Sequence, residues 1–122
     1  MSKKIASLKN VMLLIKDVPK SVKFYSEGLG MTVNHSTEHW AELQSGHMKV
    51  CLNKVEGEAS STTGYSPFLC FDVNEMDKTI YKLLEMGAIL DGPIKYPSHG
   101  KVAALRSPDG HMIGLFEENQ SN

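Results

Sequence analysis

One pattern, stated twice, constrains this chain more than any other feature. The apolar run NVMLLIK, Asn10 to Lys16, stops at Asp17, which is placed to cap a helix. Pro19 follows in what would be the first helical turn, Val18, Val22, Tyr25 and Leu29 recur at helical spacing, and Gly28 and Gly30 end the element. The run FLCFDV, Phe68 to Val73, restarts the same order 58 residues after Asn10. Asn74 is then the expected cap, Met76, Ile80 and Leu83 share a helical face, and Gly87 is the stop.

After each helix come three shorter stretches of β type: MTVNHS, HWAELQS and HMKVCLN in the first half, then AIL, GKVAALR and HMIGLFE in the second. The chain therefore reads as an α+β protein of two βαβββ modules. Its 122 residues suit one domain of ordinary size, so the two copies must build a shared core. The expected bounds are about 8–54 for module 1 and about 67–118 for module 2 within a single domain over 1–122. Between them the polar, Gly/Ser/Thr-rich stretch of about 55–66 serves as the linker.

The tripeptide GHM also occurs twice, as Gly46-His47-Met48 and Gly110-His111-Met112. Aligning the halves on it gives an offset of 64 and pairs Cys51 with Leu115, whereas an offset of 63 pairs Val50 with Ile113 and Leu52 with Leu115. A slip of one residue turns every side chain of a strand to the other face, so only one offset can be structural. Apolar parity requires 63, and each GHM becomes a turn followed by a strand entry.

Thirteen Lys and Arg against 14 Asp and Glu leave a formal charge of -1, without the basic stripe that neutralises phosphates, so nucleic acid is excluded as a partner. The start MSKKIASLKN lacks the apolar stretch of a signal peptide, and no run approaches a membrane span. A cytoplasmic protein with no membrane partner is expected, its Cys51 and Cys70 remaining free thiols.

The stretch IKDVPKSVKFYSEGLGM in the first half and RSPDGHMIGLFEE near the end of the second resemble the vicinal oxygen chelate superfamily. That superfamily holds glyoxalase I, extradiol dioxygenases, fosfomycin-inactivating enzymes and bleomycin-resistance proteins. The resemblance runs from about Leu8 to Glu117 and implies two modules curled into a half-open barrel around a ligand cavity, commonly completed by a second copy. A homodimer is therefore expected. In the family's enzymes a divalent metal sits in the cavity, held by residues from the first and fourth strands of each module. Carried over here, those four positions are Asn10, Cys51, Phe68 and Gly114. Phe68 and Gly114 have no side-chain donor, and a catalytic metal site wants at least three. The expectation is a metal-free member with no cofactor, whose partner is a small-molecule ligand.

Strand parity supports the same register independently. Asn10, Met12 and Leu14 share one face against Val11, Leu13 and Ile15, and Phe68, Cys70 and Asp72 oppose Leu69, Phe71 and Val73. In the fourth strands Lys49, Cys51 and Asn53 oppose Val50 and Leu52, while Met112, Gly114 and Phe116 oppose Ile113 and Leu115. The uniformly apolar sets belong against the helices. The mixed sets, joined by Trp40 and Glu42 from the third strand, have the composition of a ligand pocket.

Trp40 offers a stacking face for a planar or cationic ligand. His35, His39 and His99 fall in polar contexts, and His99 in YPSHGK is the one placed to reach a cavity mouth as an acid or base. No triad and no phosphate-binding glycine motif is present. The sequence thus points to a binding protein, with two alternatives: a glyoxalase-like lyase or isomerase working through Glu42 or His99, and a structural or regulatory dimer with a filled barrel.

Overall fold

The computed structural model describes residues 5–57 and 64–119. Strand β1 (Val11–Ile15) leads into helix α1 (Val18–Lys23). Asp17 caps that helix by accepting from the Lys20 amide at 3.1 Å, and Pro19 sits where a missing N–H costs nothing. The helix then widens into a π-helical turn, Phe24–Gly28, that no sequence signal announces. Phe24 and Tyr25, adjacent in sequence, are both buried there and meet edge to face at 5.2 Å. Gly28 lets this turn approach the second helix closely, since a Cβ on it would lie 2.8 Å from Leu83 Cδ2.

Strands β2 (Thr32–Ser36), β3 (Trp40–Ser45) and β4 (Met48–Lys54) complete module 1 as a sheet of order β1-β4-β3-β2, parallel between β1 and β4 and antiparallel elsewhere. Module 2 repeats it with β5 (Phe68–Asp72), α2 (Met76–Glu85), β6 (Ile89–Leu90), β7 (Gly100–Arg106) and β8 (Met112–Glu118), in the order β5-β8-β7-β6. The α+β reading with two βαβββ modules is therefore the observed architecture. Part of the expected linker, 58–63, lies outside the described residues.

The ladders decide the internal offset. Met12 pairs with Cys51 and Cys70 pairs with Gly114; likewise Val11 pairs with Val50 and Leu69 with Ile113. The first strands thus match at 58 residues and the fourth at 63, as parity requires. The two GHM copies fall out of step because the loops before the fourth strands differ. Gly46 and His47 alone connect β3 to β4, with Gly46 at φ 59, whereas Ser107 to His111 connect β7 to β8.

One expectation is corrected at α2: the capping position is Glu75 and not Asn74, and Glu75 makes no side-chain cap bond. The open Met76 amide instead donates to Glu117 Oε1 of β8 at 2.7 Å, so tertiary structure supplies the partner that a local cap would have given. Leu13, Ile15, Leu43, Leu52, Leu83, Leu105, Ile113 and Leu115 are essentially inaccessible and belong to one core that spans both modules.

The modules are also tied by polar contacts at the S-P-D-G turn. Asp109 accepts from the Lys16 amide at 3.4 Å and from the buried Ser21 hydroxyl. His111 is buried, its Nε2 3.0 Å from the Leu14 carbonyl of β1, and its amide donates to Ser107 Oγ. Tyr25 lies beside Ser107 and Asp109, its hydroxyl fully buried with no well-formed hydrogen bond and only the Ser107 side chain near enough to interact with it. Burial pushes this phenol far above its ordinary range.

Candidate functional site

Each sheet keeps one face against the helices and turns the other away. On module 1 the outward rows follow the ladders: Met12, Cys51, Glu42 and His35 form one row, and Asn53 with Trp40 the next. Asn10 precedes β1 by one residue and is half-buried; Met12 is 53% exposed, and Lys49 is exposed on β4. Cys51 is 3% exposed and free. Burial raises its thiol pKa, the Glu42 carboxylate raises it further, and Lys9 and Lys49 oppose the shift. Cys51 is thus a neutral thiol in the floor of this face.

A β-bulge between Val33 and His35 leaves Asn34 out of the ladder. Freed from pairing, its side-chain amide donates to Glu42 Oε2 at 2.8 Å and to Gln44 Oε1 at 2.9 Å. Gln44 in turn donates to the Gly46 carbonyl at 2.8 Å. His35 sits in β2 with its ring 5.8 Å from that of Trp40. Sequence reasoning singled out Trp40 and Glu42 but missed Asn34; the bulge that aims it has no one-dimensional signature.

Module 2 presents Phe68, Cys70, Met112, Gly114 and Phe116 in the corresponding rows, with Val102 and Ala104 of β7 opposite Phe116 and Gly114. Its centre is filled from within. A Cβ on Gly114 would meet Cys70 Sγ at 3.0 Å and the Phe68 ring at 3.4 Å, so the thiol would crowd a side chain at 114 and the ring would border it. Met112 is 1% exposed, whereas Phe68 is 42% exposed and Cys70 is open to solvent. His99 packs against Phe116 with ring centres 5.8 Å apart, which puts it at the border of this face. A cavity of about 290 Å³ runs between the modules, taking Phe68 and Cys70 from the expected set along with Val11, Met48 and Val50.

The same fold is found in known proteins. The family model of the Glyoxalase/Bleomycin resistance protein/Dioxygenase superfamily matches residues 7–115. The chain belongs to this superfamily. Among curated relatives of this superfamily member, the virulence protein STM3117 of Salmonella typhimurium is 27% identical over 122 residues, covering 93% of this chain and 85% of that protein. A solved glyoxalase family protein from Bacillus cereus superposes with a TM-score of 0.79 at 19% identity, covering 97% of each chain. The fosfomycin resistance protein FosX of Listeria monocytogenes superposes with a TM-score of 0.74 at 15% identity, covering 98% of this chain and 96% of that one. At such identities the structural matches establish the fold, and the chemistry has to be read from the side chains. Among the described residues no three His, Cys, Asp or Glu gather as a metal site would require, and no helix is long and apolar enough to cross a membrane.

Proposed function

We propose that this chain binds a small organic molecule on the outward faces of its two sheets and does so without a metal ion. The observation that carries the reading is the pair Phe68 and Gly114. A divalent ion at the superfamily's position would need donors from Asn10, Cys51, Phe68 and Gly114. The last two offer none, and the Phe68 ring lies against Gly114. The residues present do not fit a catalytic divalent ion, which takes at least three protein N, O or S ligands.

What the faces do offer suits an organic ligand: an accessible indole at Trp40, exposed Met12 and Phe68, and fixed polar groups at Glu42 and Gln44. A protein of this kind works by reversible, stoichiometric capture, and a second copy would enclose the ligand between faces. Trp40 is the only tryptophan, so its fluorescence reports on the face directly. Screening chelator-treated protein against small aromatic compounds should give saturable quenching at one ligand per site, with the ligand recovered unchanged. Conversion of the ligand to product would replace the binding role with an enzymatic one.

A further inference from the structure

Glu42 is a half-buried residue whose carboxylate has no counter-ion among the described residues, although it lies on a face where Cys51 senses both Lys9 and Lys49. Among the described residues its hydrogen-bond partner is Asn34, whose amide hydrogens are divided between Glu42 Oε2 and Gln44 Oε1. Gln44 is itself tied to Gly46, so the arrangement fixes one carboxylate oxygen and leaves Oε1 without a partner. A carboxylate held this way is poised for a charged donor.

Trp40 lies two residues from Glu42 on the same face of β3, about 7 Å along the strand, with its ring braced by His35. Lys49 is opposite Gln44, one row beyond Glu42 and farther from Trp40. A ring stacked on the indole therefore meets the Glu42 carboxylate before it meets the lysine. We propose that Glu42, positioned by Asn34, receives a protonated nitrogen carried by a planar aromatic ligand that stacks on Trp40. The inference rests on the binding role proposed above and names the ligand class. Module 2 supplies no matching acceptor at its centre, where Phe68 and Cys70 close over Gly114.

The test uses three probes of one shape: benzamidine, benzamide and benzoate, titrated by calorimetry and by Trp40 fluorescence. Benzamidine should bind at least tenfold tighter than benzamide, with benzoate weakest. Glu42→Gln keeps an oxygen for Asn34 and therefore the fold, and should reduce benzamidine to the level of benzamide; Trp40→Leu should weaken all three. Quenching of Trp40 with benzamide or benzoate preferred, or a cation preference that survives Glu42→Gln, would overturn the assignment while leaving small-molecule binding intact. Failure of all three probes to perturb Trp40 would overturn the assignment, while the wider screen of aromatic compounds decides the binding role separately.

Discussion

Tyr25 shows how a single side chain can sit at odds with its surroundings. Its ring is a central part of the core, yet its hydroxyl is buried with no well-formed hydrogen bond and only the Ser107 side chain beside it; a buried hydroxyl left unsatisfied costs about 1–3 kcal/mol. Tyr25→Phe should leave stability unchanged or raise it by about 1 kcal/mol, as read by urea denaturation at pH 7. The pH dependence gives a second readout. Burial raises the phenol pKa in the folded state above its ordinary value of 10.0. The folded chain therefore holds this proton while the unfolded chain releases it, so stability is undiminished below pH 10 and falls as pH rises beyond it. The Phe variant should lose less stability than the parent between pH 10 and 11. An equal decline in both would mean that the phenol is not shielded. From sequence, Tyr25 reads as one more apolar position at helical spacing; only the fold brings Ser107 and Asp109 beside it.

Among the elements, those marked by local chemistry were legible. Asp17 and Pro19 begin α1, Gly87 follows α2 with φ 101, and alternation marks β7 at its observed bounds. The elements that depend on the rest of the molecule were not. The π-helical turn follows from packing Phe24, Tyr25 and Gly28 against α2, and the α2 cap comes from Glu117, 41 residues away. The S-P-D-G turn belongs to the same class. Its motif is visible in the sequence, but its role in joining the modules through Asp109, Ser21 and Lys16 is not. Asp109→Ala removes the acceptor for a buried hydroxyl and a backbone amide, and should destabilise the chain by about 2–3 kcal/mol. Asp109→Asn keeps one acceptor oxygen and should cost less. If both variants unfold at the parent's urea midpoint, the turn is not an inter-module tie.

For the molecule as a whole, duplication made the architecture readable: two copies of one grammar in 122 residues admit few arrangements. The candidate site was readable as two lists of outward residues, because strand parity assigns faces without knowing what covers them. It was not readable as a geometry. That Cys51 and Met112 are closed off while Met12 and Phe68 stay open, and that Asn34 leaves the ladder to hold Glu42, follow from how neighbouring side chains fill space. The two modules differ at the positions where the superfamily resemblance places metal ligands. Module 1 keeps a thiol at Cys51 beside fixed polar groups, and module 2 has a glycine roofed by an aromatic ring. The proposed function is accordingly a ligand face that works without a metal. Chelator-dialysed protein titrated calorimetrically with Zn, Ni, Mn and ferrous ions tests this most directly. No saturable site is expected for any of them, and one tightly held ion per chain would rule out a metal-free face.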